Sequence, residues 1–227
     1  METGERAYEK IINYVEKQIM HGKYKKGDKL PPERELAALL GSSRNSIREG
    51  LSILERMGAI SSQQGAGNFI SDNFEKTLIE VMTLMFILEE GTFREISEFR
   101  YALEMQALVL AIEHVTEEQL KNMEYYMEML EQSPEEITKV YYDKKIHYTI
   151  AEASQNRFII DNLQALTEVM DVFIKDMRSK ILSDGSNSEG LMMTHRRIVE
   201  AIRDKNLEEG RRAMKEHFNY IYDYLDR

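Results

Sequence analysis

From about residue 74 onward the chain contains little that would stop a helix. Apolar residues recur at three- and four-residue spacing through 75–90, 93–114, 116–131, 134–154, 156–182, 188–204 and 206–226. Each such stretch has one face suited to a core. Only three prolines occur, and two of them, Pro31 and Pro32, lie near the N-terminus. Gly91, Ser133-Pro134 and the run SDGSNSEG (183–190) punctuate the periodic pattern. The expectation is a mainly α chain whose larger part is an antiparallel bundle of six or seven helices, with no internal repeat strong enough for a solenoid.

The first 73 residues follow other rules. Tyr8, Ile11, Ile12, Val15 and Ile19 predict an amphipathic helix over 5–20, followed by a basic, turn-rich connector, HGKYKKGDKL. Pro31 and Pro32 then open a second helix, where a missing N–H costs nothing, with Leu36, Ala37, Leu39 and Leu40 facing inward. Gly41 closes it, and Ser42 or Ser43 caps a third helix that buries Ile47, Leu51 and Leu54 and turns Arg44, Asn45 and Arg48 outward. Two β-prone runs around Gly65-Ala66-Gly67 predict a hairpin. Two short helices on a tight glycine turn, with basic and amide groups at the start of the second, match a major-groove reader. The alternative is a small helical domain with an ordinary surface hairpin.

Charge divides at the same place. Residues 1–73 carry 11 Lys+Arg against 10 Asp+Glu, whereas residues 74–227 carry 19 against 30. A near-neutral part with local basic clusters is able to approach phosphate, and the acidic remainder would be kept from it. No apolar run approaches the ~18 residues of a spanning helix, so no membrane partner is expected. METGERAYEK at the start has no signal-peptide pattern, and the absence of cysteine excludes disulfides and thiolate metal sites. These features together suit a cytoplasmic protein.

KLPPERELAALLGSSRNSIREGLSILERMGAISSQQGAGNFI (29–70) closely resembles the DNA-binding domain of the GntR family of bacterial transcription regulators, a winged helix-turn-helix with a small β-hairpin wing. Carried over by position, the resemblance implies Arg34, Arg44 and Arg48 as DNA contacts, with Asn45 and Ser46 beside them and Gln64 and Gly65 at the wing. Arginine suits this work because its planar fork pairs two acceptors on a guanine edge or clamps a phosphate. Ser46 stands where the family often has proline, and Ala66 where it often has a basic residue. The remainder resembles the FCD-type ligand-binding domain of the FadR subfamily in three places: FRYALEMQALVLA (99–111), YYDKKIHYTIAEASQN (141–156) and HRRIVEAIRDKNLEEGRRAMKEHF (195–218). The implied organisation is a DNA-binding domain over 1–73 and a helical effector- and metal-binding domain over 74–227.

Helical spacing places several ionisable groups on core-facing stripes. Asp143 and His147 share a face with Val140, Ile150, Ala151 and Ser154. His195 lies with Leu191, Ile198, Val199 and Ile202, and His217 with Met214, Phe218 and Ile221. A bare buried carboxylate would cost several kcal/mol. One divalent cation held by Asp143, His147, His195 and His217 would satisfy all four groups, which also fall on the subfamily's metal positions. Three nitrogens and one oxygen suit Zn²⁺, with Ni²⁺ or another first-row ion as alternatives. His114, at a helix end, is read as structural, and His21 carries no signal.

Arg100 shares a face with Ile96, Phe99, Leu103 and Ala107 and therefore needs an anion. Glu104, one turn on, is one partner; an effector carboxylate gripped by a bidentate contact is the other. Asn156 either contacts the effector or caps the following helix. The expected protein is a homodimeric, non-enzymatic transcription regulator, a repressor in the commoner family mode, that binds a pseudo-palindromic DNA operator and responds to a small carboxylate. A metal ion acting as the signal itself and a metal-dependent hydrolase are the alternatives.

Overall fold

The structure is a computed structural model and describes residues 6–72, 74–173 and 188–225. Two compact units divide the chain, residues 1–78 and 79–227. The boundary falls inside a helix that runs Glu75–Leu88, a few residues beyond the start of the helical pattern.

In the first unit, Ile11 and Val15 bury one side of α1 (Glu9–Met20). Leu36 does the same for α2 (Glu33–Leu40), and Ile47, Leu51 and Leu54 for α3 (Arg44–Arg56). Gly41 ends α2 in the left-handed region (φ 57°), which lets the chain turn at once into α3. Ser43 is the N-cap of α3, its Oγ accepting from the Ser46 N–H at 3.1 Å. Strands β1 (Ile60–Gln63) and β2 (Gly67–Ile70) pair antiparallel, with Ile60 opposite Ile70 and Gln63 opposite Gly67. Ile60 and Ile70 join the helical core, and Gln64, Gly65 and Ala66 form the exposed tip.

Two expected core positions differ. Leu39 is 61% exposed and Ile19 is 38% exposed. On the two-turn α2 the core covers the side shared by Leu36, Ala37 and Leu40, and Leu39 lies about 100° round from it. Ile19 sits in the last turn of α1, beyond the packed core.

The second unit contains the rest of α4 (Glu75–Leu88), then α5 (Phe93–His114), α6 (Glu117–Gln132), α7 (Glu136–Ala153), α8 (Arg157–Phe173), α9 (Ser188–Arg203) and α10 (Leu207–Leu225). Thr92 and Thr116 start α5 and α6 with reciprocal capping boxes to Glu95 and Gln119. The helix expected over 156–182 is described only to residue 173. The rest of it, and residues 183–187 of the expected SDGSNSEG turn, lie outside the described residues. Helix α5 is central: α7, α8, α9 and α10 all pack against it. Ala107, Leu108 and Ala111 of α5, Ile146 and Ile150 of α7, and Ile198 and Phe218 of the last pair share one core.

Helices α1 and α3 approach closely at Gly50. A Cβ built on Gly50 would stand 2.7 Å from the Tyr8 carbonyl oxygen and 2.1 Å from Ile11 Cγ2. Gly50→Ala should therefore destabilise the first unit by about 1–3 kcal/mol despite alanine's better helix propensity. Urea titration followed by far-UV circular dichroism measures it.

Candidate functional site

Arg44 and Asn45 occupy the first turn of α3 and are exposed. No acidic residue stands in that turn, so the helix N-terminus presents an unopposed positive end. Arg34 on α2 is exposed, as are Gln64 and Gly65 at the hairpin tip. Glu33 does not pair with Arg34. It pairs with Arg48, Nη2 to Oε2 at 3.0 Å, across the α2–α3 turn. An exposed, solvent-screened pair of this kind contributes little, so Arg48 is readily exchanged onto a phosphate or base. Ser46 is half-buried in the cap, its Oγ 2.9 Å from Ser43 Oγ.

In the second unit, α7 supplies Asp143 and His147, α9 supplies His195 and α10 supplies His217, all buried. Asp143 Oδ1 lies 2.9 Å from His195 Nε2 and 3.8 Å from His147 Nε2. The two Nε2 atoms are 3.2 Å apart. Ligand nitrogens of the three histidines all fall within 4.8 Å of one another. Donors bound at ~2.0–2.1 Å around one tetrahedral ion stand roughly 3.3 Å apart, the scale of the separations among Asp143, His147 and His195.

Two further details bear on whether a cation fits. His195 Nδ1 is 3.1 Å from the Leu191 carbonyl oxygen, which only accepts, so Nδ1 holds a proton; Asp143 Oδ1, 2.9 Å from Nε2, is an acceptor too, so Nε2 would present a lone pair there only with a cation between them. His217 Nδ1 lies 3.3 Å from Thr194 Oγ1, while its Nε2 is buried with no hydrogen-bond partner among the described residues. An orphaned buried nitrogen is costly unless something outside the protein completes it. The donor set therefore fits a divalent first-row cation.

Glu104 of α5 stands behind this centre. Its Oε2 is 2.6 Å from His147 Nδ1, and its Oε1 accepts from Arg100 Nε. Burial pushes the Glu104 carboxyl up, but the Arg100 guanidinium and then His147 outweigh it and hold the pKa at about 2. Burial also pushes His147 below its ordinary value, opposed by Glu104. His217 lies well below, through burial and then the neighbouring His195 and His147. The sequence presented Glu104 only as a partner for Arg100, four residues earlier on the same helix. Its second contact, to a helix 43 residues away, has no local signature, and the same holds for Thr194. Asn156 Oδ1 accepts from the N–H groups of Phe158 and Ile159 at 3.1 and 3.3 Å and so caps α8. His114 is exposed at the end of α5.

Residues 7–70 match the gntR family of bacterial regulatory proteins, and residues 95–220, more than half of the chain, match the FCD domain. The chain belongs to the GntR family, in its FCD-bearing branch. It is a DNA-binding transcription regulator and not an enzyme, so the hydrolase alternative falls. The putative L-lactate dehydrogenase operon regulatory protein of Escherichia coli (strain K12) is 26% identical over 98% of this chain and 87% of its own length. The Uxu operon regulator of Haemophilus influenzae is 27% identical, covering 95% and 80%. The transcriptional repressor NanR of Salmonella newport is 26% identical, covering 94% and 83%. Among solved structures, Streptococcus agalactiae GntR superposes with a TM-score of 0.69 at 25% identity, over 95% of this chain and 99% of that one.

The pKa directions of the GntR-family chain give a signed pH dependence. His147 and His217 bind protons less readily folded than unfolded, so the unfolded state takes up more protons once pH falls below about 6.5. Metal-free protein should lose stability between pH 7 and 5, by up to about 1.4 kcal/mol per pH unit for each of the two groups. Urea titrations of chelator-treated protein at the two pH values measure the change, and His217→Gln should reduce it.

Proposed function

We propose that this regulator is an effector-responsive repressor that senses a small organic acid at a divalent-metal centre in its helical domain. The domains are 1–73 for DNA and 74–227 for effector and metal. The reading rests above all on the Nε2 of His217, buried without a hydrogen-bond partner among the described residues and grouped with His147 and His195, beside which Asp143 stands 2.9 Å from His195. Those four side chains would hold the ion, with Zn²⁺ favoured by the N₃O donor set and Ni²⁺ next. A bound dication would supply a positive, oxygen-seeking centre for a carboxylate.

Arg100 provides the second grip. Its bond to Glu104 uses Nε, leaving the terminal amino groups for an effector carboxylate. Asn156 has its oxygen engaged in the α8 cap and only its amide nitrogen to offer the same ligand. That one relative is named for a lactate dehydrogenase operon supports an acid of this general class.

On the DNA side, Arg34, Arg44, Asn45, Ser46 and Arg48 form the reading face, with Gln64 and Gly65 at the wing. Two copies in a homodimer would present their α3 helices to the half-sites of a pseudo-palindromic operator. Effector binding changes operator affinity only as far as it favours one conformational state over another. A chain without cysteine and with an operator to reach is suited to the cytoplasm.

Arg44→Ala combined with Arg48→Ala should abolish specific binding to the protein's own promoter region and flatten its salt dependence. Electrophoretic mobility shift at two salt concentrations measures this, and full operator affinity in the double variant would sink the DNA face. A thermal-shift screen with lactate, pyruvate, citrate and sugar acids should raise the melting temperature only while Asp143 and Arg100 are both present. If operator affinity instead follows Zn²⁺ or Ni²⁺ and ignores every acid, the metal is itself the signal.

A further inference from the structure

Glu104 belongs to none of the expected ligands, yet it is among the most buried charged side chains of the second unit, and both its oxygens are in use. Imidazole has two nitrogens, and in the neutral ring only one of them has a lone pair free for a cation. His147 points Nε2 toward Asp143 and His195 and Nδ1 toward Glu104. An ionised carboxylate only accepts. At 2.6 Å it therefore demands the proton on Nδ1, which leaves the lone pair on Nε2, the atom that faces the other donors.

We infer that Glu104 is a positioning residue of the metal centre, fixing His147 in its Nδ1–H tautomer, and that Arg100 holds the Glu104 carboxylate in place for that purpose. The inference rests on the metal reading above and deepens it. His195 has a backbone carbonyl of its own helix, that of Leu191, at Nδ1, with the Asp143 carboxylate at its Nε2. His147 lacks such a carbonyl partner, and α5 supplies the acceptor from across the bundle. A carboxylate behind a ligand imidazole also raises its basicity, and loss of such a partner commonly costs 10–100-fold in metal affinity.

A purely packing role for Glu104 makes a different prediction. Gln in its place keeps the volume and the Arg100 contact through its carbonyl oxygen, yet it is able to turn its NH₂ toward Nδ1. That stabilises the Nε2–H tautomer, in which His147 no longer offers a lone pair to the centre. Arg100 then has two connected tasks, Nε on Glu104 and its terminal groups toward the effector.

Long-range ¹H–¹⁵N NMR of the metal-free full-length protein reads the tautomer directly, and Zn²⁺ and Ni²⁺ affinities come from competition with a chromophoric chelator. The expected result is His147 as the Nδ1–H form in the native chain. Glu104→Gln should bind Zn²⁺ 10–100-fold more weakly at unchanged 1:1 stoichiometry, and Glu104→Asp should recover part of the loss. A native His147 in the Nε2–H form overturns the role of Glu104 even if no variant folds. So does Glu104→Gln that binds within twofold of native while His147→Ala binds far more weakly, and that outcome leaves the metal reading standing. If native protein binds neither ion more tightly than His147→Ala, the metal reading itself fails and Glu104's positioning role falls with it.

Discussion

The Arg100–Glu104–His147 chain of contacts is what the second unit is organised around. Each of these groups is buried, and each alone would be expensive to bury. Together they are compatible with a packed interior because α5 places the guanidinium and carboxylate one turn apart and α7 brings the imidazole to the carboxylate's free oxygen. Helices α5 and α7 must pack side by side for these contacts to exist.

Charge around the centre is deliberately uneven. Two carboxylates are buried there, Glu104 paired with the Arg100 guanidinium and Asp143 beside His195, and burial keeps His147 and His217 toward their neutral forms. A surplus of negative charge among neutral nitrogen donors suits a cation better than a proton. In the proposed metal-bound state the sign would reverse, and the site would attract an organic anion. The DNA-reading unit uses opposite physics: its arginines are exposed, weakly paired and replaceable, as a surface that exchanges protein partners for phosphate must be.

Much of the fold was legible because helical periodicity is a local property. The expected segments 93–114 and 188–204 correspond to α5 and α9 within a residue, and the wing strands fall where the β-prone runs stand. Leu39 was misplaced because a two-turn helix is too short for period alone to fix its buried side, and α3 and α1 decide which residues are covered. In the site, Asp143 and His147 were visible as an i,i+4 pair on an apolar stripe. The arginine–glutamate pair had the same spacing, which is why Glu104 was expected as one of two partners for Arg100.

The sequence alone determined the helices, the third helix with its cap, the near-neutral and acidic halves, and the core-facing stripes that carry Asp143, His147, His195 and His217, since each is written in spacing or composition over a few turns. Only the tertiary structure decided that the histidines of α7, α9 and α10 meet within hydrogen-bonding and coordination range, that one nitrogen is left orphaned, and that Glu104 faces His147 as well as Arg100. The reason is physical. A helix fixes which side chains share its own face, but the acceptor that faces His147 Nδ1 is brought by a neighbouring helix.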